Sequence, residues 1–123
     1  MRTRKTEERQ RQKWRDMSPK SLILVRDKLC VPYGFVYVFA ARELVKIGMT
    51  QHSVYRRWHG IKTANPWLEH PLYVTGPLLG NVVNVERACH LELKQYHVTG
   101  EWFECDRALA IETVKRIEQE IVS

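Results

Sequence analysis

Hydrophobic positions fall into two alternating runs near residue 40, a broken run near residue 75 and a series of helical stripes, separated by turn signals. In "FVYVFAARELVKIG" the pattern repeats every two residues. Val36, Val38, Val45 and Ile47 share one side, and Phe35, Tyr37, Phe39, Leu44 and Lys46 the other. This predicts a β-hairpin turning at about Ala41 to Glu43. Both sides are largely apolar, so both faces should be covered by other elements. "HPLYVTGPLL" predicts a third strand. The expected fold class is α/β: a small, mostly antiparallel three-stranded central sheet flanked by helices.

The helices are read from a period near 3.6. "SPKSLILVRDKLC" offers Ser18 as a cap, Pro19 at the first helical position, and Leu22, Val25, Arg26 and Leu29 at helical spacing; "VPYG" ends it. A short helix is expected at roughly 53–63, with Trp58 and Ile61 inward, and "TANPW" turns after it. Val82, Val85, Cys89 and Tyr96 predict a helix from about Val82 to Tyr96. "TGEWFEC" reads as a tight turn with a short extended piece. Asp106 caps a last helix with Ala110, Ile111, Val114, Ile117 and Ile121 on its apolar face.

A chain of 123 residues suits one domain. The net charge of +6 is placed unevenly. Residues 1–20 hold Arg2, Arg4, Lys5, Arg9, Arg11, Lys13, Arg15 and Lys20 against Glu7, Glu8 and Asp16, a net +5, which leaves +1 for residues 21–123. A basic arm on a nearly neutral body suits a polyanion, or serves as a solvated tail. Cys30, Cys89 and Cys105 show no CxxC spacing, so buried free thiols in a reducing cytoplasm are expected. No run is long enough for a membrane span, and no apolar stretch follows the basic N-terminus as in a secretory signal.

Against this background "VKIGMT" stands out. Lys46 lies on a covered strand face, which is costly unless that face is wet or holds an anion. Tyr37, on the neighbouring strand, shares the face by parity. A lysine beside a phenol favours phenolate, although a half-buried tyrosine beside a snorkelling lysine gives the same pattern. Glu86 and His90 are four apart on one helix face, away from the apolar stripe. They suit a cation and a proton or phosphate, or form a surface pair. Arg56 and Arg57 in "YRRWHG" can donate to phosphoryl oxygens, or be solvated. Together these groups are the means for metal-assisted hydrolysis of a phosphodiester.

The ordered set "GFVYVF", "VKIGMT", "YRRW…TANP", "VERACH" and "GEWF" resembles the GIY-YIG nuclease superfamily. More narrowly it resembles the compact branch found in phage proteins and the meiotically up-regulated gene family, where KIG replaces YIG. The resemblance covers about residues 34–105 and makes residues 21–123 a GIY-YIG-like nuclease domain behind the 1–20 arm. It implies that Tyr37 orients or deprotonates the attacking water, and that Lys46 points into the site. Gly48 allows a close backbone approach. Glu86 holds a single divalent cation, Mg²⁺ or Mn²⁺, and His90 assists proton transfer. Gly100, Glu101, Trp102 and Phe103 match the closing motif, whose aromatics pack.

Counting from Gly48 puts the family arginine at Arg56, and counting back from "TANP" puts it at Arg57, the favoured choice. The histidine expected four residues later is absent: position 61 is isoleucine, and His59 falls elsewhere on the helix. The leading expectation is thus a cytoplasmic, metal-dependent endonuclease acting on DNA, as a monomer or weak dimer. The alternative is a GIY-YIG-fold module that binds nucleic acid without cutting. If the arm makes five to eight phosphate contacts, log affinity should fall with log salt at a slope of roughly −4 to −7.

Overall fold

A computed structural model describes residues 33–122. The basic arm, Cys30 and the helix expected from Ser18 to Leu29 lie outside the described residues. The hairpin forms as read: β1 (Tyr33–Ala41) and β2 (Leu44–Thr50) pair antiparallel, joined through Arg42 and Glu43. Register sets Phe35, Tyr37 and Phe39 opposite Thr50, Gly48 and Lys46 on one face, and Val36, Val38 and Ala40 opposite Met49, Ile47 and Val45 on the other. Arg42 takes a left-handed φ of +57° to close the turn, and the Arg107 guanidinium donates to its carbonyl at 2.9 Å.

The sheet is larger than expected. Among the described residues six strands replace three, in the order β3-β1-β2-β6-β5 with β4 also on β1. The single strand expected in "HPLYVTGPLL" is two, β3 (Tyr73–Val74) and β4 (Leu78–Leu79). Gly76-Pro77 breaks the ladder, since proline has no N–H to donate. Thr75 bridges the break: its N–H reaches the Val36 carbonyl at 2.9 Å, and its hydroxyl accepts from the Val36 N–H at 3.0 Å. β5 (His97–Thr99) and β6 (Trp102–Phe103) form a small hairpin on the outer edge of β2.

Helices cover both faces. α1 (Val54–Ala64) packs Val54 and Trp58 against Phe35, Tyr37 and Phe39, and the Trp58 indole N–H donates to the Glu69 carbonyl at 2.7 Å. α2 (Val82–Glu92) and α3 (Arg107–Val122) bury Val82, Val85, Cys89, Ala110, Val114 and Ile117 against Val36, Val38, Val45 and Ile47. β1, buried along its whole length, is the central strand of this sandwich. α2 stops at Glu92, short of the expected Tyr96, and a 3-10 turn (Lys94–Tyr96) leads into β5. Asp106 caps α3 as read, accepting from the Ala108 N–H at 2.7 Å. Cys89 is a buried free thiol and Cys105 a half-buried one. No helix among the described residues is long and apolar enough to cross a membrane.

Candidate active site

β6 stops at Trp102, which pairs with Lys46, so the outer edge of β2 runs on alone past that point. Three groups meet this bare edge. The Glu101 carbonyl accepts from the Ile47 N–H at 3.0 Å. His90 Nε2, reaching round from α2, lies 2.6 Å from the Ile47 carbonyl oxygen. The Met49 backbone N–H faces the Glu86 carboxylate, one turn before His90 on the same helix, and lowers its pKa. Glu86 and His90 thus do for β2 what a further strand would do, and the spacing of four residues matches two polar groups on one strand edge.

On the α1 face of the same stretch a chain of polar groups assembles. Arg57 Nε donates to the Tyr37 hydroxyl at 3.3 Å, and the Tyr37 hydroxyl donates to Glu101 Oε1 at 3.4 Å. The same carboxylate oxygen pairs with Lys46 Nζ at 3.2 Å. Gly48 lies directly beneath: a Cβ there would overlap Tyr37 Oη and Glu101 Oε1 and stand 2.7 Å from Tyr37 Cζ. Glycine is what lets the phenol and the carboxylate meet over the strand. Lys46 is mostly covered, with 13 % of its side chain exposed, and its ammonium also lies 5.1 Å from the Trp102 ring centroid. It faces into this cluster rather than standing as a solvated edge charge.

Glu101 is the residue that sequence reasoning left without a role. Gly100, at φ +55°, turns the chain so that the Glu101 side chain folds back over Gly48. Its signal was faint: one carboxylate in the tip of "TGEWFEC". The phenol that it meets corrects an expectation. A nearby lysine was expected to lower the phenol's pKa; instead it is pushed up to about 12. Burial is the main cause, the Arg57 hydrogen bond opposes it, and the Glu101 charge adds to it. Lys46 is spent on Glu101, so the anion rather than the cation faces the phenol.

Glu86 approaches from the other side of the strand edge, near enough for its charge to act on Tyr37 and to feel Glu101, His90 and Lys46. Burial, then Glu101, raises its pKa above the ordinary carboxylate value. Its Oε2 is buried without a hydrogen-bond partner. Among the described residues no three His, Cys, Asp or Glu side chains cluster as a metal cage. An orphaned carboxylate oxygen with no further protein ligands fits a hard divalent cation that keeps most of its water, as Mg²⁺ does.

The remaining candidates separate. Arg57 joins the cluster and, with Arg56, Thr50, His52 and Ser53, also lines a shallow hollow; the Arg56 N–H is capped by the Ser53 hydroxyl at 3.3 Å. His59 stacks on Tyr55 on the outer side of α1, and Ile61 packs against the core, so neither supplies an imidazole to the cluster. The arm residues Arg2 to Arg15 lie outside the described residues.

The model of one protein family, described as the T5orf172 domain, matches residues 34–118. No curated protein and no solved structure matches the chain. The matched stretch contains Tyr37, Lys46, Arg57, Glu86, His90 and Glu101, and on a match of this extent the chain belongs to the T5orf172 domain family, a family associated with phage nucleases.

Proposed function

We propose that the protein is a metal-dependent endonuclease that hydrolyses DNA phosphodiester bonds at the cluster over Gly48. The observation that carries this reading is the unbroken chain Arg57–Tyr37–Glu101–Lys46 beside the orphaned Glu86 oxygen. It brings two cations, a phenol and two carboxylates together on the stretch of β2 beyond β6, the constellation that phosphodiester hydrolysis needs.

With its pKa near 12, Tyr37 stays a neutral phenol at physiological pH and acts as a relay rather than a standing base. The attacking water gives a proton to Tyr37 Oη as the phenol passes its own proton to Glu101. The water oxygen bonds to phosphorus and one P–O ester bond breaks. Arg57 offsets charge growing on the phosphoryl oxygens, and Lys46 is drawn from Glu101 to the phosphate as that carboxylate becomes neutral. A divalent cation held by Glu86 would supply positive charge for the leaving oxygen. His90, fixed on the Ile47 carbonyl, holds the strand edge and the helix face that presents Glu86.

The test is supercoiled plasmid incubated with the protein in Mg²⁺, Mn²⁺ or chelator, beside Glu86→Ala. Metal-dependent nicking that Glu86→Ala abolishes while DNA binding persists is the expected result. DNA bound but never cut with either metal would favour the non-cutting module, the reading to which Ile61 in the expected histidine position lends weight.

A further inference from the structure

A second concave feature adjoins the cluster and has no part in the chemistry above. Beside the β1–β2 turn lies a groove of about 590 Å³, walled by Leu44, Trp67 and Trp102, with Arg42, Glu43 and Glu104 around it. Trp67 is 57 % exposed, an unusual position for so large an apolar ring. The Arg42 guanidinium lies over the indole at 3.9 Å from its centroid. Indole and guanidinium planes are the surfaces on which proteins stack unpaired bases.

We propose that this groove is a subsite for one unstacked nucleobase of the strand whose phosphate enters the Gly48 cluster. The proposal rests on reading that cluster as a nucleic-acid site, and it deepens that reading by naming the substrate class: DNA with unpaired nucleotides beside the scissile bond. Continuity is the first argument. Gly48, Lys46 and Leu44 lie on one face of β2, about 7 Å apart in succession. The Trp102 ring borders both Lys46 and the groove. A strand held at Gly48 therefore brings a neighbouring base within reach of Trp67.

The charge pattern is the second. Glu43 and Glu104 oppose a phosphate in the groove, while an uncharged base with amino donors is compatible with them. Preorganisation is the third. Arg107 holds the Arg42 carbonyl while its other guanidinium nitrogen donates to Glu69 at 2.9 Å. The Trp67 backbone N–H donates to the Asn65 side-chain oxygen at 3.2 Å, and Lys62 ties down the carbonyls of Pro66 and Leu68. The backbone that carries ring and guanidinium is held before any ligand arrives, and the two stack on each other, which lowers the ordering cost of binding. In a paired duplex the base faces are already stacked and unavailable to this surface.

The experiment measures affinity for a short labelled single strand and for the duplex of equal length, in chelator. It compares the native chain with Trp67→Ala and Trp67→Phe. Trp67→Ala should weaken single-strand binding by about 5- to 100-fold. Duplex binding should change much less, and Trp67→Phe should recover most of the loss. Equal losses on both DNAs, or none on the single strand, overturn the proposal. So does a shift in self-association on Trp67→Ala, which would mean that a second copy fills the groove. A Trp67-dependent single-strand preference in a protein that cuts neither plasmid nor the single strand with Mg²⁺ or Mn²⁺ sustains the subsite and overturns only the nuclease reading; cutting without that preference does the reverse.

Discussion

His90 Nε2 stands 2.6 Å from the Ile47 carbonyl oxygen, where the N–H of a neighbouring strand would otherwise lie. A carbonyl accepts, so the Nε2 nitrogen is the protonated one in this state. His90→Ala removes the donor from a partly buried carbonyl and should cost about 1–3 kcal/mol in urea denaturation, with His90→Gln recovering part of it. A His90→Ala protein as stable as the native chain would make the imidazole an adornment of the edge rather than its closure.

Gly48 leads to a sharper expectation. A methyl group at this position must displace Tyr37 Oη and the Glu101 carboxylate together, because it would overlap both. Gly48→Ala should destabilise the fold by about 1–3 kcal/mol, as overpacking does. Plasmid nicking should fall more steeply, by about 100-fold, since a misplacement near 1 Å in a reacting constellation costs that much. Thermal melting and nicking of one preparation separate the two effects.

Much of this was legible because strand parity is a strict rule. Tyr37 and Lys46 were placed on one face by counting, and the register Tyr37↔Gly48 and Phe39↔Lys46 puts them there. Asp106 as a cap and Ala110, Val114 and Ile117 on the core side of α3 follow from the same kind of counting, whereas Ile121, expected on that stripe, is exposed near the helix end. What escaped was set by partners distant in sequence. Periodicity gives no weight to strands as short as β4 and β5, whose pairing is decided by which edge lies near, although the extended piece read in "TGEWFEC" is β6. The raised Tyr37 pKa comes first from burial, and Glu101 adds to it because Gly100 folds the carboxylate onto Gly48, a meeting that no local pattern announces.

Arg56 and Arg57 are adjacent in sequence and should be far apart in effect. Both line the outer hollow, but it is Arg57 whose Nε donates to Tyr37. Arg57→Ala should reduce single-turnover nicking by about 100- to 1,000-fold, the usual range for a group aimed at developing charge. Arg56→Ala should weaken DNA binding and leave the saturated rate within about tenfold. The opposite ranking would make Arg56 the catalytic cation.

Glu101→Gln tests the relay through an optical signal. The substitution removes a negative charge from beside Tyr37 and leaves Lys46 unpaired, and both changes favour phenolate. The Tyr37 pKa should therefore drop from about 12, seen as tyrosinate absorbance with Tyr37→Phe as the blank. Nicking at neutral pH should fall by about 100-fold or more, as when a proton acceptor is lost, and recover partly as pH rises towards the lowered phenol pKa. An unaltered rate would remove Glu101 from the proton path.

Glu86 sets stability against function. Burial and the Glu101 charge hold its pKa above the ordinary carboxylate value, so folding favours the protonated form. In the interval between the unfolded and folded pKa values the native chain binds more protons than the unfolded one. Stability from this group is therefore present at low pH and lost as pH rises through that interval. Glu86→Gln keeps the shape without the charge. In chelator at neutral pH it should melt at a higher temperature than the native chain, and the difference should close below about pH 4, where both carry a neutral side chain. Adding Mg²⁺ should raise the melting temperature of the native chain and leave Glu86→Gln unmoved, because only a group that binds the cation in the folded state gains from it. The same variant should fail to nick plasmid. A Glu86→Gln protein that melts lower in chelator would mean that the carboxylate is held for stability, and that the orphaned oxygen is no cation ligand.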